Sequence, residues 1–249
     1  MSGHSKWSTI KRKKGAVDAK RGKIFTKLIK EITVAARMGG GDANGNPRLR
    51  SAINAARVAN MPADNVDRAI KKGTGELEGV EYEEASYEGY GPAGVAILIE
   101  TLSDNKNRTV SEIRHLFSKY NGNMGENGCV SWMFTKRGVV VVDKEGTTED
   151  QLMEQSLELG ADDIRDEDDV FEVYCPPNDL TQVSDGLRDA GFKVESADVQ
   201  MIAQNTVKVE GRDAEVLMRL VGMLEDHEDV QNVWGNFDID EALLAELDG

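Results

Sequence analysis

The stretch GVVVVDKEGTTEDQLMEQSLELGADDIRDEDDVFEVYCPPNDLTQVSDGLRDAGFKVESADVQMIAQ, residues 138–204, decides the fold. Its valine run at 139–142 is a short buried strand, because β-branched side chains fit a pleated surface. A helix over 148–159 follows and is stopped by Gly160, which supplies the left-handed conformation a helix end needs. An extended piece lies near 163–165, then a strand over 170–174. A second helix spans 180–190, stopped by Gly191, and a strand over 193–201 closes the series. The order β-α-β-β-α-β is the ferredoxin-like arrangement.

On the C-terminal side, a short strand at 207–209 leads to a helix with Val216, Leu217, Leu220, Val221 and Leu224 on one face. A strand over 230–237 and a short acidic helical tail over 240–247 follow. On the N-terminal side, strands are expected at 94–101 and 130–134. Between them runs a helix over 109–120, opened by the capping-box pattern Thr109-Val110-Ser111-Glu112 and burying Val110, Ile113, Leu116 and Phe117.

Helical period begins near Ile24. Phe25, Leu28, Ile29, Ile32 and Ala36 form one stripe, with Lys23, Lys27 and Lys30 beside it. Gly39-Gly40-Gly41 ends this helix. Pro47 opens a second, with Leu49, Ile53 and Ala56 as its apolar edge. Met61-Pro62 breaks the chain, and a short third helix carries Val66, Ala69 and Ile70 to Gly73. These residues read as a three-helix unit. Residues 1–23 hold only Trp7, Ile10 and Val17 as large apolar side chains, too few for a core, so they read as an extended basic arm.

Charge separates along the same line. Residues 1–72 carry 17 Lys and Arg against 5 Asp and Glu, whereas residues 73–249 carry 13 against 40. A basic third inside a chain of net charge −15 is most simply explained by an anionic partner, and nucleic acid is the polyanion with the densest regular charge. The candidate nucleic-acid contacts on the arm and first helix are Lys6, Trp7, Lys11, Arg12, Lys13, Lys14, Lys20, Arg21, Lys23 and Lys27. Arg48, Arg50, Arg57, Arg68, Lys71 and Lys72 extend the positive surface over the next two helices. A basic island in the acidic body, Lys106, Arg108 and Arg114, is a candidate second contact. The Gly- and Glu-rich passage over 73–88, where the charge changes sign, is the best domain boundary.

Other chemistries find little support. Gly89-Tyr90-Gly91-Pro92-Ala93-Gly94 spells G-x-G-x-x-G, but a strand rather than a helix follows it, so it reads as a turn. His4, His115 and His227 are scattered, and neither Cys129 nor Cys175 stands at ligand spacing from them, so no metal is expected. The acidic cluster over 162–169 lacks the glycine and spaced ligands of a calcium loop. No nucleophile, base and orienting group can be assembled from the spacings, so the chain is expected not to be an enzyme and to need no cofactor. The longest apolar runs, 95–99 and 139–142, are far short of the roughly 20 residues that span a bilayer. With a basic N-terminus that lacks an apolar stretch and two unclustered cysteines, the expected location is cytoplasmic.

Several long blocks carry a family resemblance: GHSKWSTIKRKKGAVDAKRGKIFTKLIKEI (residues 3–32), RLRSAINAARVANMPADNVDRAIKKG (48–73), YEGYGPAGVAILIETLSDNKNRTVSEIRHLFSKYNGNMGENGCVSWMF (87–134) and NVWGNFDI (232–239). Together they resemble the YebC/PmpR family over essentially the whole chain. Asn121 and Cys129 stand where that family usually has Gly and Ser. The resemblance implies a multidomain α and α+β fold: a basic arm plus N-terminal three-helix bundle over 1–75, a discontinuous central α+β domain over 76–136 and 206–249, and an inserted ferredoxin-like domain over 137–205. It further implies a non-enzymatic regulator of gene expression. Bacterial members are commonly described as DNA-binding transcriptional regulators. Mitochondrial relatives are translational activators, and some bacterial members resemble ribosome-associated factors that relieve stalling. DNA and ribosomal or transfer RNA therefore both stand as expected partners, with the ribosome or another protein as a further one. No membrane partner is expected, and the sequence leaves the oligomeric state open.

Overall fold

The computed structural model describes residues 18–240 apart from Asp168, together with Leu243. In chain order the elements are α1 (Asp18–Gly39), α2 (Pro47–Val58), α3 (Ala63–Thr74), β1 (Glu83–Tyr90), β2 (Ala96–Ser103), α4 (Lys106–Lys119), β3 (Asn123–Met124), β4 (Phe134–Asp143), α5 (Glu149–Glu158), β5 (Asp163–Asp166), β6 (Val170–Cys175), α6 (Leu180–Asp189), β7 (Val194–Ala203), β8 (Val207–Lys208), α7 (Gly211–Glu225), β9 (Val230–Gly235) and β10 (Phe237–Asp238). They form a mixed α+β, multidomain chain with two compact units. One is Met1–Trp132 with Asn205–Gly249, and the other is Met133–Gln204.

In the first unit, Ile32, Ala35 and Ala36 of α1 meet Leu49, Ala52 and Ala56 of α2, with Met61 and Ala69 completing the core. Small residues let these helices approach closely. A Cβ on Gly73 would lie 2.4 Å from the Thr33 carbonyl oxygen, so α3 can cross α1 there only as glycine. The α1–α2 corner is built around Asn46. Its side chain accepts from Leu49 N at 3.1 Å as the cap of α2, and donates to the carbonyls of Ala35 at 2.7 Å and Gly40 at 2.9 Å. Pro47 fills the first helical position, where no N–H is required.

The same unit holds an antiparallel sheet in the order β3-β1-β2-β9. Helices α4 and α7 supply Ile113, Phe117, Leu217, Leu220 and Leu224 to a core shared with Ile97, Ile99 and Val233 of the sheet. A short parallel pair, β10 with β8, lies beside it. The second unit has a four-stranded antiparallel sheet in the order β5-β6-β4-β7. Val140, Val142, Phe171 and Val173 pack with Leu152 of α5 and with Val183 and Leu187 of α6. Val139, Val141, Val170 and Tyr174 cluster separately, as period-two alternation requires.

Several local expectations change. Helix α1 starts at Asp18 rather than near Ile24, so residues 18–23 belong to the helix and not to an extended arm. The apolar stripe marks only the part of a helix that is packed. The preceding Ala, Lys and Arg are good helix formers and carry the helix further. Helix α4 starts at Lys106, capped by the Asn105 side chain, which accepts from Arg108 N at 3.1 Å; Thr109 is already inside it. The expected strands at 130–134 and 139–142 are replaced by a 3-10 turn at Ser131–Met133 and one long strand, β4. Strand β1 lies in the Glu-rich passage that read as linker, because only its last positions are buried and its pattern is short. The expected strand over 230–237 divides at Asn236, whose side chain accepts from Ala96 N at 2.8 Å. The G-x-G-x-x-G segment ends β1 with Gly89 and Tyr90 and makes the turn towards β2. The tail helix over 240–247 lies almost wholly outside the described residues.

Candidate nucleic-acid interface

The arm contacts Lys6, Trp7, Lys11, Arg12, Lys13 and Lys14 lie outside the described residues. Lys20 lies on α1. The other candidates divide into cations that remain available on the surface and cations held by carboxylates or carbonyls of the same chain.

The available set gathers on the helical bundle. Arg21, near the start of α1, donates to the Asn60 carbonyl at 3.5 Å and stands 5.6 Å from the centre of the Phe25 ring. Asn60 adopts a left-handed conformation (φ 56°) that closes α2, and its N–H donates to the Arg57 carbonyl at 3.0 Å. Arg68 sits in the second turn of α3, donating to Asn65 Oδ1 and to the Asp64 carbonyl. Arg21, Arg57 and Arg68 thus come from three helices to the end of the bundle where the α2–α3 turn meets the start of α1. All three are exposed. Lys71 and Lys72 lie in the last turn of α3, and Arg50 lies seven residues before Arg57 on α2. None of these six makes an ion pair with a described side chain.

The committed set is different. Arg48 forks onto Glu31 at 2.6 and 2.9 Å and reaches Glu84 at 2.7 Å. Its bonds to Glu31 raise its guanidinium pKa well above the ordinary range. A fork already closed on carboxylates has no free edge for a base. Lys27 donates to the Glu225 carbonyl at 2.5 Å. Lys23 faces Asp226 at 3.4 Å, and Lys106 faces Glu83 at 2.5 Å. Both of these pairs are well exposed and worth little. Arg108 bonds Asp229 at 2.7 Å and Asp104 at 2.8 Å. Arg114 is exposed on α4.

Asp229 is the centre of a buried ionic clasp that sequence reasoning missed. Its side chain is 2% exposed, and Lys30, at 8%, donates to it at 2.6 Å. Thr109 Oγ1 donates to Asp229 Oδ2 at 2.7 Å, and Ser103 Oγ reaches the same oxygen at 3.2 Å. Lys30 also donates to the Glu228 carbonyl at 3.1 Å. Burial alone would push the Asp229 carboxyl up. Bonds from Lys30, Arg108 and Thr109 outweigh it and hold the group below the usual carboxylate range. The clasp fixes α1 against the start of β9 and the first turn of α4, and so sets the direction in which the basic helix presents its other face. Lys30 looked like one more surface cation, and nothing local marked Asp229.

A second buried carboxylate was equally unmarked. Glu88 on β1 accepts from Gly128 N at 2.8 Å, Val130 N at 2.7 Å and Ser131 N at 2.8 Å. Burial raises its pKa, but these three bonds prevail and lower it. It shapes the loop that carries Cys129 and the exposed Trp132. In the acidic stretch 162–169, Asp162 pairs with Arg137, Asp166 with Lys144, and Asp163 with Arg165 at 3.6 Å. Cys175, the last residue of β6, is buried in the second unit's core, and burial pushes its thiol up to about 11.

Known proteins bear on this arrangement. Residues 5–76 match the family described as "TACO1/YebC protein N-terminal domain", and residues 82–237 match "TACO1/YebC second and third domain". A "Probable transcriptional regulatory protein" of Geobacter sp. (strain M21) is 61% identical over 247 residues, covering 99% of this chain and 100% of the relative. One from Geobacter sulfurreducens is 60% identical over 247 residues with the same coverage. The crystal structure of a conserved hypothetical protein, Aq1575, from Aquifex aeolicus superposes with a TM-score of 0.81 at 45% identity, covering 90% of this chain and 93% of that one. Matched in both of its parts and nearly end to end with such relatives, the chain belongs to the TACO1/YebC family.

Proposed function

We propose that this protein is a nucleic-acid-binding regulator of gene expression, acting by binding rather than by catalysis. The observation that carries the reading is the grouping of Arg21, Arg57 and Arg68 at one end of the bundle, beside the helix that the Lys-rich residues 1–17 enter. Exposed cations grouped at one end of the bundle, with no ion pair to a described carboxylate, suit a phosphate backbone, where each neutralised phosphate releases counterions. The relatives' name favours transcription as the primary reading, and we take DNA as the partner that goes with it.

A second reading, a ribosome-associated factor bound to ribosomal or transfer RNA, draws on a specific observation. Arg48, one of the arginines that could have read a base edge, is closed on Glu31 and Glu84. Phosphate positioning without base readout suits RNA recognised by shape. In either case we read the chain as the family's three domains, 1–75, 76–136 with 206–249, and an inserted ferredoxin-like 137–205. The strand order of the second unit supports the last of these. We place the protein in the cytoplasm. No described helix is long and apolar enough to cross a membrane.

Sucrose-gradient sedimentation from growing cells, with and without RNase, separates the two readings. Co-migration with ribosomal particles that collapses on RNase treatment selects translation. Protein at the top of both gradients, together with DNA crosslinks at discrete sites, selects transcription. Absence of binding to duplex DNA and to structured RNA at low salt would sink both.

A further inference from the structure

Between α1, α4 and α7 runs a groove of about 570 Å³, a size typical of sites that take a ligand or a peptide segment. Its floor is apolar, with Leu116 and the 42%-exposed Met223. Its walls are anionic. Glu112 and Asp226 line it, and Glu228 stands in the adjoining cleft. The facing cations are Lys23, paired with Asp226 at 3.4 Å, and Arg108, tied to Asp104 and Asp229. His227 lies against Glu112 at 2.8 Å, and His115 completes the rim. With Arg108 already balanced by Asp104 and Asp229, Glu112, Asp226 and Glu228 against Lys23 leave a surplus of negative charge over an apolar floor. Such a surface repels phosphate and suits a cationic segment with a few apolar side chains.

The chain carries that segment. Residues 1–17 contain Lys6, Lys11, Arg12, Lys13 and Lys14, no acidic residue, and the apolar Trp7 and Ile10. They join α1 at Asp18, and Lys23 is five residues along that helix, about 8 Å. Lys11 to Lys14 lie four to seven residues before Asp18, within roughly 25 Å of extended chain. We propose that this groove is the docking site of the chain's own residues 1–17, which turn back along α1 and leave when nucleic acid takes their cations. The release, though not the docking, rests on the nucleic-acid reading. The protein would then hold its basic segment on its own carboxylates until a polyanion competes, which disfavours weak, non-specific binding.

The test uses the full chain. Carbodiimide crosslinking joins lysines to carboxylates in contact. The expected products link Lys11, Lys13 or Lys14 to Glu112, Asp226 or Glu228 within one chain, as judged from a mixture of isotopically labelled and unlabelled protein. Trypsin cleavage at these lysines is expected to accelerate by roughly tenfold in Glu112→Gln/Asp226→Asn/Glu228→Gln, since three exposed pairs are lost. It should not change in Glu76→Gln/Glu78→Gln/Glu81→Gln, which removes equal charge elsewhere. Equal rates in all three proteins, links between copies, or links spread over the whole acidic surface overturn the docking. Saturating oligonucleotide should abolish the groove links. If they persist while anisotropy reports binding, the competition is wrong and the nucleic-acid reading stands. If no oligonucleotide binds but the links form, the nucleic-acid reading falls and the docking stands.

Discussion

Lys30 Nζ lies 2.6 Å from Asp229 Oδ1, both side chains are buried, and 199 positions of sequence separate them. This contact ties the basic helix to the α+β core. An ion pair taken out of water does not by itself stabilise a protein much, but breaking it from one side leaves an uncompensated buried charge.

Asp229→Ala is therefore expected to lose about 3–5 kcal/mol of stability. Lys30→Met should cost less, because Arg108 and Thr109 still satisfy the carboxylate. The double variant should be less destabilised than the two losses added together. Urea denaturation of the four proteins measures this. Additive losses would show that the two groups do not interact.

Acid should loosen the same clasp. The folded Asp229 pKa is depressed, so its contribution is present in full above the ordinary aspartate value of about 3.9 and declines as pH falls from there toward the folded value. Glu88 is depressed as well and acts in the same direction. Thermal melts between pH 7 and pH 2.5 should show a steep loss below about pH 4. Asp229→Asn should start lower and show a shallower slope. An unchanged slope would remove Asp229 from the account.

Glu88→Gln should cost about 1–3 kcal/mol, because a carboxylate that accepts three backbone N–H groups is replaced by an amide with one acceptor. Amide hydrogen exchange at Gly128, Val130 and Ser131 should rise while exchange in the second unit's sheet stays as it was. Uniform acceleration everywhere would mean global destabilisation instead of a local loop effect.

Arg57→Ala and Arg68→Ala should each weaken nucleic-acid binding about equally for all sequences. Each should reduce the slope of log K against log salt by about 1 if that side chain meets a phosphate. Arg48→Ala should leave that slope unchanged and instead cost about 1.5–3 kcal/mol of stability through its lost bonds to Glu31 and Glu84. Anisotropy titrations at several salt concentrations, with parallel denaturation, distinguish the two outcomes. An unchanged slope for Arg57→Ala and Arg68→Ala would discard this end of the bundle as the interface.

Helices α5 and α6, strand β6 and the 139–142 part of β4 were legible because each packs against the same core, so apolar spacing reports structure directly. Strand β1 was not legible, since its sequence EEASYEGY is buried only toward its end and its pairing with β2 supplies what the pattern lacks. The start of α1 was misjudged because the helix outruns its packed stripe. At the candidate interface the sequence identified the basic residues but could not rank them. Arg48 and Arg57 look alike along the chain, yet one is closed on two carboxylates and the other is exposed.

What the sequence by itself determined is the inventory: a basic first third, an acidic remainder and the periodicities that make helices and strands. Those properties reside in single residues and short spacings. What only the tertiary structure decided is which charges meet. The choice of Asp229 for Lys30, of Glu31 for Arg48 and of no described carboxylate for Arg57 depends on which backbones the core brings together. Coulomb attraction and desolvation act on distance in space, which the order of residues does not state.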